Sequence, residues 1–373
     1  MRRREFAGGM MALGLSGCAA KRSVVAVPKL APLRAELDRI FRVTVCSRPF
    51  RAAGPRLDVE KVGDKVVVHN YGHGGSGWSL SWGSGQVAVE KAMAVGEKEV
   101  AVIGCGALGL TSAILLQRAG AKVTIYAKER PPEVRSNWAT GSWTPDSRVA
   151  LASKAGPEFP ALWEKMTRYS FRMYASYLGM PGNPIEWMDR YVLGARRQGG
   201  SEGLDFARYG DRVRDLTPQL QTMAPGTHPF PEENVNKSST LTFNVASYSR
   251  LLMQEFQVAG GRIEQAEFHK PGELQNLREK VMIHATGYGA RALWKDESIV
   301  PVRGQIAWLI PQPELNYSVF YKDVVMVARR DGIVVQAVGS GEMEGYNDPS
   351  ETPDRKAAEE AVGVMRELYS RMK

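Results

Sequence analysis

Residues 100–113 read VAVIGCGALGLTSA. An apolar run begins at Val100 and stops at Gly104, as a buried strand would. Gly104, Cys105, Gly106, Ala107, Leu108 and Gly109 then form G-x-G-x-x-G. The segment ALGLTSAILLQRAG carries on at helical spacing and ends at Gly120, and KVTIYA (122–127) is the next strand. Strand, glycine turn, helix and strand within about 30 residues is the context a dinucleotide-binding turn needs. Gly104 permits the tight turn, Gly106 lets the backbone approach a pyrophosphate, and Gly109 lets the helix pack on the strand. The helix opening at Ala107 and Leu108 presents free N–H groups to the phosphates. At the end of the second strand Ala127 stands where an acidic residue is expected. Lys128, Glu129 and Arg130 follow, and Glu129, 20 residues after Gly109, either meets a ribose hydroxyl or is a solvated loop charge.

Just upstream, residues 66–86 read VVVHNYGHGGSGWSLSWGSGQ. Six glycines exceed what a hairpin uses. Trp78 and Trp82 sit among them, as if to hold a flat ring. A helix is expected from about Ser84 to Val95, ending at Gly96 and leading into the dinucleotide strand.

These residues resemble one family. HNYGHGGSGW and SWG resemble the closing signature of the D-amino-acid oxidases. Ser47-Arg48-Pro49-Phe50-Arg51 and Gly54-Pro55-Arg56-Leu57 resemble the segment before that signature. AKERPP (127–132) and SNWATGSWTP (136–145) resemble the flavin-contacting loop, and HATGYGARAL (284–293) and PVRGQ (301–305) resemble later landmarks. The resemblance touches most of residues 43–350. It implies an α/β chain, a Rossmann-like FAD-binding domain with an interleaved, mostly β substrate domain. In the family the HNYGHGG segment ends the chain, whereas here it precedes the dinucleotide turn, so the order reads as circularly permuted. The last segment, TPDRKAAEEAVGVMRELYSRMK, would be a helix capped near Thr352 and Pro353, with Ala358, Ala361, Val362, Met365, Leu368, Tyr369 and Met372 on one apolar face. In the unpermuted order it would feed the strand that carries Arg48.

The implied reaction removes hydride from Cα of a D-amino acid, or a related amine acid, to the flavin. It gives an imino acid, then a 2-oxo acid and ammonia, with molecular oxygen or another electron acceptor taking the electrons. Arg48 matches the carboxylate-binding arginine, a role suited to its planar fork. The backbone at Gly75 and Ser76 would meet the substrate amine and the flavin. Gly74, Gly77, Trp78 and Ser79 would line the flavin, joined by Ser136, Gly141 and Ser142 from the later loop. The family's second carboxylate holder, a tyrosine, is replaced by Val325; either Tyr317 or Tyr321 reaches in instead, or the resemblance implies an N-substituted or otherwise altered amine as substrate. Two other readings stay open: an envelope-bound flavin dehydrogenase serving a quinone or carrier, and a non-catalytic amino-acid-binding lipoprotein.

The chain begins MRRREFAGGMMALGLSGCAA: charge, an apolar stretch, then small residues, which is signal-peptide anatomy. Arg3-Arg4-Glu5-Phe6 resembles a twin-arginine export signal, and Leu15-Ser16-Gly17-Cys18 resembles a lipobox with lipid attached at Cys18. The expected address is the cell envelope on its periplasmic side, and Ala19 resembles outer-membrane sorting. No apolar run of 18 residues is present, so no spanning helix is expected. Three cysteines do not make a disulfide framework, and Cys46 and Cys105 read as small packing residues. Net charge is +9, but the basic residues are scattered and not interleaved with aromatics, which argues against nucleic acid. His69 and His73 span a glycine, which spoils a helical metal pair, so no metal is assigned. His228, His269 and His284 stand alone in the sequence.

The expected organisation is a signal and lipobox at 1–18, a tether at 19–42 and FAD-binding residues at 43–150. Substrate domain follows at 151–235, FAD-binding residues again at 236–300, substrate-domain strands at 301–350 and the C-terminal helix at 351–373.

Overall fold

The computed structural model describes residues 27–194, 203–339 and 341–373. The signal, Cys18 and most of the polar loop ARRQGGSEG lie outside the described residues. In chain order the elements are β1 (Ile40–Arg51), β2 (Val59–Val62), β3 (Lys65–His69), α1 (Gly77–Met93), β4 (Glu99–Ile103), α2 (Ala107–Arg118) and β5 (Lys122–Ala127). Then come α3 (Phe159–Ala175), β6 (Ile185–Leu193), β7 (Gln221–Met223), β8 (Val235–Phe243), α4 (Val245–Val258), β9 (Arg262–Gln265) and β10 (Val281–His284). The chain closes with α5 (Ala290–Leu293), β11 (Ile299–Leu309), β12 (Tyr317–Tyr321), β13 (Val324–Arg329), β14 (Gly332–Ala337) and α6 (Arg355–Ser370).

Two sheets organise these elements. The first runs β2-β3-β10-β4-β5-β9 and is parallel except for β2. Its central strands are buried on both faces, which is why VAVI and VTIYA read as continuous apolar runs rather than alternating ones. α2 is buried almost throughout, between this sheet and α1 and α4. The second sheet runs β1-β11-β14-β13-β12-β6-β8-β7 and is antiparallel except for β12 beside β6. α6 covers one face of it, against β11, β13 and β14. Ala358, Ala361, Val362, Met365, Leu368 and Tyr369 are all buried there, the face expected from the sequence. Its N-cap is Asp354 rather than Thr352, with the carboxylate accepting Ala357 N–H at 3.0 Å.

Three expectations need correction. The glycine-rich segment is helical from Gly77, seven residues before the expected start. Glycine disfavours helix, but here packing decides: a Cβ on Gly83 would lie 2.0 Å from Met166 O of α3, so the two helices touch backbone to backbone. Trp82 holds no ring for a ligand. It is fully buried, donates to Tyr248 Oη at 2.7 Å and stacks on Tyr177. The domain segments also interleave more finely than 43–150, 151–235 and 236–300 allow: β1 and β8 belong to the second sheet, and α3 packs on α1 of the first.

Candidate active site

A cavity of about 1690 Å³ lies between the two sheets. Its walls come from the C-terminal ends of β4, β5 and β10, the opening of α1, the loop at residues 134–148, and one face of the second sheet. That is the crevice where an open parallel sheet binds ligands.

At one end stands the glycine turn. Gly104, Cys105, Gly106, Ala107 and Leu108 line the cavity, with Lys128 and Glu129 at the end of β5. Gly104 holds a left-handed φ of 110°, and an added Cβ would lie 2.6 Å from Ala285 O. Gly106 has no side chain to cap α2, so the first-turn N–H groups open toward the cavity, except that Ala107 N–H donates to Ser136 Oγ at 3.2 Å. Lys128 pairs with Glu267 at 2.8 Å. The Cys105 thiol is buried, and burial pushes its pKa up to about 12, which suits an inert packing residue.

Midway, Gly74, Gly75, Gly77, Trp78 and Ser79 face Gly141 and Ser142. Trp78 is pinned by donation to Ser136 O at 2.7 Å, and Ser79 Oγ accepts Thr144 N–H at 2.8 Å. Gly74 cannot be another residue: its φ is 57°, and a Cβ would fall 1.9 Å from Arg148 O. The turn is thus clamped to the loop that carries Arg148.

The far end is built by the second sheet. Arg48 on β1 lies half-buried across Gly304 of β11, whose Cβ, if present, would meet the guanidinium carbon at 2.6 Å. Arg48 Nη1 donates to Arg303 O at 3.1 Å and Val302 O at 3.4 Å. Burial lowers its pKa, yet a guanidinium keeps its charge at any working pH. Phe320, Val325 and Val338 supply an apolar wall, and Gln336 a polar point. Arg148, Arg190, Arg208, Asp146 and Glu342 complete this end. Arg148 donates through Nε to Glu342 O at 2.7 Å, and Arg208 pairs with the Glu342 carboxylate at 3.0 Å. Burial, then the nearby charge of Arg48, lowers Arg148 to about 10.

Val325 therefore sits on the cavity wall, as expected for the position of the missing tyrosine. Tyr317 and Tyr321 do not reach in. Alternation along β12 sends Ser318 and Phe320 to the cavity and Tyr317 and Tyr321 to the face under α6. There Tyr317 Oη donates to Ala31 O at 2.6 Å, and Tyr321 Oη accepts from Arg371 at 2.7 Å. Ser76 also turns away: it is fully buried, its hydroxyl donates to Ser147 O at 2.9 Å and its N–H to His73 O at 3.0 Å. Gly109 acts from behind the wall, since a Cβ would sit 2.0 Å from Gly104 O. Arg130 is exposed and outside the lining. Cys46, Asp146, Arg148, Arg208 and Glu342 line the cavity without a motif that announces them, and Thr286 does so from within HATGYGARAL. His284 is not isolated: its Nδ1 lies 3.1 Å from His69 Nδ1.

A parallel sheet whose glycine turn meets a helix N-terminus, opening into a cavity of about 1690 Å³, is the arrangement of a dinucleotide-binding protein. The model of the FAD dependent oxidoreductase (DAO) family matches residues 99–372, and the chain belongs to that family. The D-amino-acid oxidase of Rubrobacter xylanophilus is 26% identical over 212 residues, 55% of this chain and 57% of that protein. That of Streptomyces coelicolor is 27% identical over 209 residues, 56% and 58% of the two chains. The chain thus spans little more than half the length of the curated relatives it matches. A solved L-amino acid deaminase from Proteus vulgaris, with its specific insertion sequence deleted, overlaps 73% of this chain and 74% of its own, at 14% identity and a TM-score of 0.48.

FAD is the cofactor of this family, and the residues present fit it. Gly104, Gly106 and the N–H groups opening α2 would hold the pyrophosphate. Glu129 would reach a ribose, and Gly74, Gly77, Trp78, Ser79, Gly141 and Ser142 would enclose the flavin.

Proposed function

We propose that this chain oxidises a D-amino acid at Cα, with oxygen as the electron acceptor. Arg48 carries the reading. It is a charged, half-buried guanidinium on the cavity wall, and its side-chain hydrogen bonds go to main-chain carbonyls. Its fork offers two aligned donors to a carboxylate, and such a bidentate pair fixes orientation as well as position. Gly75 lines the same space and packs tightly on the loop opposite, where a Cβ would lie 2.6 Å from Ser147 Oγ. Phe320, Val325 and Val338 exclude water beside the reacting carbon. FAD held by these residues would supply the two-electron acceptor for the hydride. The amino acid leaves as an imino acid, which water converts to a 2-oxo acid and ammonia, and oxygen receives the two electrons as hydrogen peroxide. The residues named here orient and desolvate, and the redox chemistry belongs to the cofactor.

The test is a panel of D- and L-amino acids added to the protein without oxygen, following the flavin absorbance. Bleaching by at least one D-amino acid and by none of the L series supports the reading; no bleaching by any D-amino acid ends it. Peroxide formation on admitting air then tests the acceptor.

Two further parts of this reading concern chain order and address. The family match begins at residue 99, yet β1, the glycine turn at residues 73–75 and the start of α1, all before it, supply Arg48, Gly74, Gly75 and Trp78 to the cavity wall. That arrangement supports a circularly permuted order. Leu15-Ser16-Gly17-Cys18 supports a lipid at Cys18 and a place on the periplasmic side of the cell envelope. Cys18→Ala should release the protein from the membrane fraction, and unchanged fractionation would exclude the anchor.

A further inference from the structure

Below the glycine turn lies a polar chain that the proposed reaction does not use. His69, at the end of β3, and His284, at the end of β10, are neighbours across two parallel strands, and both are fully buried. Their Nδ1 atoms are 3.1 Å apart. His69 Nε2 lies 3.1 Å from Glu60 Oε2, and His284 Nε2 lies 2.7 Å from Thr286 Oγ1. Thr286 lines the cavity, with its Cα 3.4 Å from where a Cβ on Gly104 would be. An unbroken line of hydrogen bonds therefore runs from a half-exposed carboxylate to the wall beside the dinucleotide turn.

Each link has one free choice, and the carboxylate makes it for all of them. Glu60 Oε2 also accepts Arg56 Nη2 at 2.8 Å and Trp294 Nε1 at 3.1 Å. A carboxylate held by such donors accepts only, so His69 Nε2 must carry its proton toward Glu60. Burial works to raise the Glu60 carboxyl, but the bonds from His69, Arg56 and Trp294 outweigh it and keep it below its usual range. Burial, then the charge of Arg56, keeps His69 neutral despite the Glu60 bond and the nearby charge of Asp58. Burial, then His69 and Arg56, does the same for His284. Tyr71 packs against the edges of both rings, its hydroxyl held by Arg56 and Asp296, and Trp294 stacks on His284. A neutral His69 protonated on Nε2 has a bare Nδ1. His284 must then donate from Nδ1, and its bare Nε2 must accept the Thr286 hydroxyl proton.

We propose that Glu60, His69 and His284 act as a positioning relay that turns the Thr286 hydroxyl proton away from the cavity, so that Thr286 offers FAD a hydrogen-bond acceptor. The group it receives is a hydroxyl of the ribose or ribityl chain. A phosphate oxygen, itself an acceptor, is disfavoured there. This rests on FAD occupying the cavity and is independent of which amino acid is oxidised.

The test uses the flavin-loaded full chain with ¹⁵N-labelled histidine. At neutral pH the nitrogen shifts should give His69 as the Nε2–H tautomer and His284 as the Nδ1–H tautomer, assigned with His69→Gln and His284→Gln. His284 as the Nε2–H tautomer, or His69 as an imidazolium, overturns the proposal. In a second measurement, Thr286→Val should weaken FAD binding to the stripped protein about three- to tenfold, the scale of one neutral hydrogen bond. Thr286→Ser should restore it. Unchanged FAD affinity in Thr286→Val overturns the acceptor role, whereas unmutated protein that holds no flavin would instead refute the cofactor assignment.

Discussion

Gly304→Ala separates the position of Arg48 from its charge. A methyl at residue 304 would stand 2.4 Å from Arg48 Nη2 and 2.6 Å from its Cζ and Nη1. Ordinary carbon contacts are about 3.5–4.0 Å, so the guanidinium must retreat by about 1 Å. The clashing atoms are the far end of a flexible side chain, so the backbone need not move and the fold should hold. The retreat breaks the bonds from Nη1 to Arg303 O and Val302 O, for a loss of about 1.5 kcal/mol each, the low end for a charged donor, because the half-buried guanidinium still faces the cavity. Its larger effect falls on the substrate, because a displacement of about 1 Å costs on the order of 10²-fold when it misplaces the reacting carbon. Gly304→Ala should therefore lower kcat/KM for the best D-amino acid about a hundredfold, mostly through kcat, with FAD content unchanged and Tm lowered by only a few degrees. Arg48→Leu removes the fork altogether and should cost more, at about 3–5 kcal/mol for one partner of a buried pair. Parental kcat/KM in flavin-replete Gly304→Ala would show that Arg48 does not hold the carboxylate from this position.

Gly109→Ala puts a methyl 2.0 Å from Gly104 O, and here the clash is with backbone, so the turn itself must open. The purified variant should carry less than about a tenth of the parental flavin absorbance per chain, with an overpacking cost of about 1–3 kcal/mol; normal flavin content would contradict the geometry. Asp354→Ala removes the cap of α6 and should cost about 1 kcal/mol, seen as a Tm lower by about 2 °C with FAD content unchanged. Acidification should destabilise the fold. Burial, then Arg51, lowers His73 to about 3, so below about pH 6.5 the unfolded chain binds a proton that the folded chain refuses. Stability then falls as pH falls from about 6.5 toward 3, and at pH 5 His73 alone accounts for about 2 kcal/mol. His73→Gln should flatten the slope of unfolding free energy against pH, and an unchanged slope would mean that His73 is protonated in the folded state.

Local signals in the sequence were read well where the physics is local. β5 spans the same residues as KVTIYA, α2 follows the glycine turn, and the apolar face of α6 is the face that is buried. The start of α1 was missed because Gly77, Gly83 and Gly85 read as loop when taken alone, and only the approach of α3 makes helix the better choice. The place of Tyr317 and Tyr321 follows from alternation along β12. Two residues of the same parity share one face, and that face was already committed to α6. Arg148 meets Glu342 from 194 residues away, and His69 meets His284 from 215, so neither pairing leaves a trace in spacing. These are contacts of the folded chain, and periodicity does not report them.

The strand that brings Arg48 to the cavity has a cost in time. β1 is finished at residue 51, but its neighbour β11 begins at residue 299, and Arg48 and Val302 are 254 positions apart. During synthesis at about 5–20 residues per second, β1 waits roughly 10–50 seconds for its partner. For that interval a 12-residue strand stands as an open edge able to pair with a neighbouring chain. β3 waits in the same way for β10, and α1 meets α2 early but α3 only later. The order that sets the Arg48 strand and the glycine turn before the dinucleotide turn thus makes completion of the active site one of the last events in folding, and the yield of folded protein should depend on how well that early strand is shielded until β11 arrives.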